Sequence, residues 1–456
     1  MTLDQDRANR IFPPATYADG VPYDLYRELR AAGPVHRIEE PPVGDWPAGP
    51  GYWAVLRHAD VKHVLRSPGD FSSHLGGTQI RDPETPADLA FARTMMLNQD
   101  PPDHSRLRRI VAAAFTPRAL ADLAAAIESR VHELVDTVRP LGATDFVGLA
   151  ADLPLWTLAR VMGVPDRDRR LLLDWANRVI GYQDADHAAS ATADPAGLTP
   201  LGRAALAHRP TATPGGRPLN PRSRAGLADL YAYAHSLARQ PDADGLLART
   251  REAGLTVDEF ETMFFLFAVA GNETVRNALP GGLHALLSHP DQYRLLCEKP
   301  ELTASAVEEM LRYWPPVMEF RRTATRDLTL AGRPVRRGDK VVVYHASANR
   351  DEHVFPDPDR FDITRTPNDH VSFGYGPHFC LGAQLARLQM TVMIRHLVTT
   401  LPGLELADPG RAPQRLVSNF QNGLKSLPIR WRAGGGSRRV SGARVSVRSP
   451  GRAPGR

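Results

Sequence analysis

The stretch FGYGPHFCLG, Phe373 to Gly382, sets three glycines, a proline and a histidine around one of only two cysteines in the chain. Gly374, Gly376 and Gly382 carry no Cβ, so the backbone can fold closely about the sulfur of Cys380. The residues that follow, LGAQLARLQMTVMIRHL, repeat leucine at helical spacing and predict a helix from near Cys380 to about Thr400. A helix N-terminus favours negative charge and keeps a thiol ionised. A chain with this turn must fold so as to bring that thiolate to something that uses it.

Three uses are open. A cysteine nucleophile needs a base, and His378 lies two residues away, but the local signatures of thiol hydrolases are absent. A zinc site needs further Cys or His ligands at metal spacing, and none cluster here. A haem iron accepts a single cysteine thiolate as axial ligand. The second cysteine, Cys297 in YRLLCEKP, reads as an inert buried thiol.

Two cysteines in 456 residues make no disulfide scaffold, which points to a reducing, cytoplasmic setting. The N-terminal MTLDQDRANRIFPP lacks the apolar core of a signal peptide, and the longest apolar run, Met263 to Gly271, is too short to span a membrane. The expectation is a soluble protein. The net charge of +5 is misleading for nucleic-acid binding. Residues 433–456 hold six arginines and no acid, so the rest of the chain carries 5 − 6 = −1. That Gly/Ser/Pro/Arg-rich tail is expected to be disordered.

Helical patterns cover His104–Ala114, Leu120–Thr137, Pro165–Ile180, Leu227–Arg239, Val257–Leu287 and Thr303–Tyr313. Strand patterns appear in GYWAV and in LTLAGRPVRRGDKVVVYHAS, where Gly332 and Gly338 mark turns. The fold class is mainly α with a smaller β portion. Residues 193–226 carry six prolines, five glycines and five arginines, which predicts a long loop between two helices.

The turn resembles the cysteine-ligand loop of the cytochrome P450 superfamily, Phe-Gly-x-Gly-x-His-x-Cys-x-Gly, at Phe373, Gly374, Gly376, His378, Cys380 and Gly382, followed by Leu385, Ala386 and Arg387. The resemblance implies haem b held by Cys380, the sulfur shielded by Phe373, and His378 near a propionate. Other segments agree with it. In LNQDPPDHSRLRR, His104 and Arg108 share a helix face that suits carboxylates, and the family gives both to the propionates, together with Arg322 of FRRTATRD. Arg321 is the weaker choice there. Glu309 and Arg312 in VEEMLRYWPP match the family's Glu-x-x-Arg, which would form a buried structural triad with Arg360 of FPDPDRFDI. In FFLFAVAGNETVRNAL, Ala270, Gly271, Glu273 and Thr274 match the kinked stretch where dioxygen binds. Thr274 would serve that groove and Glu273 would relay protons.

The resemblance extends from about Leu25 to Trp431. It implies a triangular single P450 domain over 25–432, an N-terminal arm over 1–24, a lid insertion over 193–226 and the tail. Stretches such as FSSHLGGTQIRD, AGNETVRNAL and SNFQNGLKSLPIRW are similar to a bacterial branch that hydroxylates sterol side chains, methyl-branched lipids and acyclic terpenoids. Val317, Met318, Phe320 and Phe420 are the expected pocket residues, and Glu319 is a charge beside them. A monooxygenase of this kind would be monomeric and would draw electrons from NAD(P)H through a ferredoxin reductase and a ferredoxin. A peroxide-driven oxidant is the alternative within enzymes, against which the Glu273–Thr274 pair argues. A non-catalytic haem sensor would need an output module, and no segment supplies one.

Overall fold

The computed structural model describes residues 4–43, 47–188, 193–210, 220, 222–240, 246, 250 and 253–432. Its axis is one long helix, Val257–Leu287. A capping box starts it: Thr256 accepts from the Glu259 backbone while Glu259 reaches back to the Thr256 N–H. Apolar residues on several sides let it be enclosed. Numbered in chain order, the helices that build the site are α1 (Asp103–Ala112), α2 (Pro117–Val138), α3 (Phe146–Met162), α4 (Arg169–Ile180), α5 (Ala228–Ala238), the long helix as α6, α7 (Thr303–Tyr313) and α8 (Ala383–Thr400). Helix α6 packs against α3, α4 and α7, and α8 packs against α2 and α7.

Sequence periodicity locates seven of these within a few residues of their ends. Helix α3 is absent from that reading because Pro154 interrupts its pattern, although Asp145 caps its start and Gly163 closes it at φ +74°. Helix α6 spans Val257–Leu287 as its pattern predicts, and is continuous through Gly271 and Thr274, where the family's stretch is kinked.

The main sheet has five strands, β1 (Val35–Ile38), β2 (Tyr52–Val55), β3 (Phe71–Ser72), β4 (Glu319–Ala324) and β5 (Lys340–Tyr344), in the order β1-β2-β5-β4-β3. Only the β2–β5 pairing is parallel. β5 is buried along its whole length because apolar clusters cover both faces. Alternation along β4 sends Phe320 and Arg322 to one face and Glu319 and Arg321 to the other.

Two expectations about chain organisation change. Residues 4–24 are no loose arm. Ile11, Phe12 and Tyr17 are buried against the sheet, and the Tyr17 hydroxyl meets that of Tyr26 at 2.9 Å. The 193–226 segment is only partly a loop. Thr199 accepts from Gly202 N–H and starts a helix at Pro200–Leu206, with Leu198 and Ala205 buried. The 211–219 part of that segment, Pro221 and the 433–456 tail lie outside the described residues. Among the described residues, no single helix is long and apolar enough to cross a membrane.

Candidate active site

The cysteine turn is built by its own backbone. Cys380 N–H donates to Phe373 O at 2.9 Å, Phe379 N–H to Gly376 O at 3.0 Å, and Gly374 N–H to Val371 O at 2.8 Å. Gly374 and Gly376 sit at φ +72° and +73°, and a Cβ on Gly376 would stand 2.7 Å from the Leu65 carbonyl. Gly382 is different. Its φ is −85°, and a Cβ there would meet nothing within 4 Å. The Cys380 side chain keeps exposed surface at the turn. Burial pushes its thiol up, opposed by the Gly382 N–H, Arg108 and Arg387. Phe373 lies close by, with the Arg387 guanidinium 4.5 Å over its ring.

Four cationic or imidazole side chains gather at this turn. The His104 and His378 rings are 4.1 Å apart. Arg108 of α1 donates to the Phe379 carbonyl at 2.7 Å, and the buried Arg322 donates to the Arg321 carbonyl at 2.9 Å. Burial lowers both imidazoles, His104 to about 4, with Arg108 adding to the effect. Burial also pushes the Arg322 guanidinium down to about 10, and Asp100 partly opposes it. None of the four has a carboxylate within ion-pair distance among the described residues, and His104 Nδ1 is buried without a partner. Burying guanidinium groups without an anion is costly. The donor set therefore fits a cofactor that brings its own carboxylates, and haem with its two propionates does. Arg321 goes elsewhere: it pairs with Asp82 at 2.8 Å.

Below the turn, Glu309 and Arg312 are fully buried and bidentate, at 2.7 and 2.8 Å. The third member is Arg365, whose Nε lies 3.3 Å from Glu309, and not Arg360. The Arg360 side chain is 64% exposed and approaches only Asp362, at 4.0 Å. It is the Arg360 carbonyl that turns inward, accepting from Arg312 at 3.1 Å. A second, half-buried anchor was not read from sequence. Glu308 binds Arg387 at 2.7 Å and His370 at 3.2 Å, tying α7 to the first turn of α8.

On the facing side, the Thr274 hydroxyl donates to the Ala270 carbonyl at 2.9 Å. Both residues line the same cavity. Gly271 does not. A Cβ there would come within 2.9 Å of Leu158, so it serves the α6–α3 contact rather than the cofactor. Glu273 is fully buried and points away from the cavity, bonded to Arg276 at 2.7 Å with His187 at 3.7 Å. Burial alone would raise its carboxyl; Arg276 and His187 outweigh that and hold it below the usual range.

Val317, Phe320 and Phe420 line the cavity, as do Phe265, Leu266 and Val269. Met318 does not: it is buried on the opposite side, with Ile80 and Tyr344. Glu319 also faces away, behind β4. Asn220, Arg222 and Ser223 of the insertion line the cavity, a contribution that composition alone did not suggest.

Comparison with known proteins agrees with this geometry. The family model described as "Cytochrome P450" matches residues 236–402. A steroid C26-monooxygenase of Rhodococcus jostii is 35% identical over 437 residues, covering 93% of this chain and 84% of that protein. A methyl-branched lipid omega-hydroxylase of Mycobacterium bovis is 37% identical over 414 residues, covering 86% and 89%. Among solved structures, a Mycobacterium marinum cytochrome P450 in complex with pseudoionone superposes with a TM-score of 0.75 at 35% identity, covering 90% and 94%. Sequence, fold and the thiolate turn agree: this chain belongs to the cytochrome P450 family and is a P450 monooxygenase of the bacterial type.

Proposed function

We propose that this monooxygenase hydroxylates a C–H bond of a lipid-like substrate of the sterol, branched-lipid or terpenoid class, with electrons passing from NAD(P)H through a ferredoxin reductase and a ferredoxin. The observation that carries the reading is the cavity wall: Phe265, Leu266, Val269, Phe320 and Phe420 surround the space beside Thr274. The similarity to a steroid C26-monooxygenase and to a methyl-branched lipid omega-hydroxylase supports it. A bound haem thiolate supplies the activation of dioxygen.

The protein's part is positioning and proton handling. Cys380 would ligate the iron, and His104, Arg108, Arg322 and His378 would neutralise the propionates. Phe373, beside Cys380, would keep water from the sulfur. The apolar wall excludes water from the substrate and orients it. Thr274 shares its proton with the Ala270 carbonyl, which leaves its oxygen lone pairs available towards the cavity. Glu273 is ionised and held outside the cavity, so proton delivery through it requires the carboxylate to leave Arg276 and turn inward. The test is reconstitution with NADPH, a ferredoxin and its reductase against a panel of sterols, branched lipids and terpenoids, beside peroxide alone. Product with the electron chain and none with peroxide supports the reading. Product with peroxide alone overturns its electron source.

A further inference from the structure

A groove separate from the cavity lies where the helix Tyr23–Ala32 meets the C-terminal ends of α6 and α7 and the hairpin that Arg415 and Leu424 close by pairing. It shares no lining residue with the cavity beside Thr274. Three arginines line it, Arg27, Arg350 and Arg415, against two acids, Asp24 and Asp359.

Both acids are already matched. Asp359 accepts from Arg27 at 2.8 Å and from Arg350 at 3.0 Å, and Asp24 lies 3.0 Å from Arg27. Arg350 is also held between two rings, 4.4 Å from the centre of Tyr23 and 3.7 Å from that of Tyr313. The carbonyl end of α7 is occupied as well, since Tyr313 O accepts from the Tyr23 hydroxyl at 3.2 Å and from Arg350 at 3.3 Å. His284 adds no charge near neutral pH, because burial lowers its imidazole to about 4, with Arg415 and His289 adding to the effect.

Arg415 is the cation left over. Among the described residues its partners are neutral: it donates to Asn422 Oδ1 at 3.1 Å and lies 4.3 Å over the Trp314 ring. Burial pushes its guanidinium down, and what opposes this is the Tyr23 phenol, which burial keeps protonated. Its seat is fixed by the hairpin. Trp314 Nε1 donates to Asn422 O at 3.0 Å, Asn422 N–H to Pro316 O at 2.9 Å and Leu416 N–H to Gly423 O at 3.0 Å. A half-buried guanidinium on a rigid seat without a counter-ion suits a carboxylate. Beside it, Val21, Tyr23 and Trp314 offer apolar and aromatic surface. The surplus is one charge, so a monoanion fits. A dianion such as phosphate would set a second negative charge near Asp24 and Asp359.

We propose that this groove is a second ligand site, which takes a small monocarboxylate with a flat apolar body, its carboxylate on Arg415 and its ring on the side of Tyr23 and Trp314. The site is independent of the monooxygenase reading.

The test is calorimetry on the haem-loaded protein with benzoate and its neutral analogue benzamide. Phenylimidazole, whose ring nitrogen ligates the iron, is present at saturation to close the cavity, so that the heat reports the groove. Hydrogen bonds to a charged group make the expected preference for benzoate roughly tenfold or more. Arg415→Gln should remove that preference. Arg411→Gln, at an exposed arginine outside the groove, should keep it. Inorganic phosphate should bind more weakly than benzoate. No heat with benzoate in the parent, or equal affinity for benzoate and benzamide, would overturn the proposal without need of any variant. So would an equal loss in Arg411→Gln and Arg415→Gln, or phosphate binding more tightly than benzoate. These outcomes leave the monooxygenase reading untouched, since that depends on the thiolate Soret band and on NADPH-dependent turnover.

Discussion

Thr274 and Glu273 are sequence neighbours with opposite orientations, one on the cavity and one bound to Arg276 on the far side of the helix. Their losses should therefore differ. Thr274→Ala removes a hydroxyl at the cavity wall and leaves haem and substrate binding intact. Product per NADPH should fall, with hydrogen peroxide rising to account for the difference, by a factor on the order of a hundred in the step that the hydroxyl serves. Glu273→Gln should slow NADPH consumption and product together, because proton supply is impaired. Equal coupling in Thr274→Ala and the parent would remove that residue from the role. Cys380→Ser should abolish the thiolate-specific Soret band of the reduced carbon monoxide complex; an unchanged band would mean another ligand. The residue types were legible in the sequence, but the direction of each side chain was not. Met318 and Gly271 sit next to true cavity residues in the chain and face the other way. A motif gives positions along an element, and only packing gives the face.

At the scale of elements, the thiolate turn is held from below by α7. Glu309 accepts from Arg312, from Arg365, from the Asp362 N–H and from Asn368. The last three bonds fix different parts of the 362–368 stretch, so the chain leading to the turn inherits the rigidity of a helix. Sequence indicated Glu309 and Arg312 because an i,i+3 pair is local. It misassigned the third member because Arg360 and Arg365 lie on one irregular segment without periodicity, and its path decides which guanidinium turns inward. Arg365→Ala should cost about 1–3 kcal/mol and lower haem retention, since it strips charge-assisted bonds from a buried carboxylate. Arg360→Ala should stay within about 0.5 kcal/mol of the parent, as exposed positions do. Thermal melts and haem-to-protein absorbance ratios for the two variants check this; the reverse ranking would restore Arg360 to the triad. Helix α3 was missed for a related reason. Pro154 lies inside it, and a rule that reads proline as a break cannot see the neighbours that hold the helix together.

Across the whole molecule, the sheet and the N-terminal residues enclose one carboxyl with little compensation. Glu319 lies behind β4, within the field of Tyr17, Tyr52 and Tyr344, and its Oε2 is buried without a partner. Burial pushes its pKa up to about 8, and Arg321 and Arg222 only partly oppose that. The sign for stability follows from proton counting. Between about 4.5 and 8 the folded protein keeps a proton on Glu319 that the unfolded chain has released. The folded state binds more protons there, so stability falls as pH rises, by up to about 1.4 kcal/mol per pH unit from this group alone. Below the window both states are protonated and the group contributes nothing; above it the penalty is complete. Glu319→Gln keeps the shape and cannot ionise. Its melting temperature should match the parent's near pH 4.5, exceed it increasingly towards pH 8, and hold a constant advantage beyond. A pH series of thermal melts on the two proteins, both haem-loaded, reads this directly. A gap that does not vary with pH would show that Glu319 finds a charge partner in the folded protein and is ionised throughout.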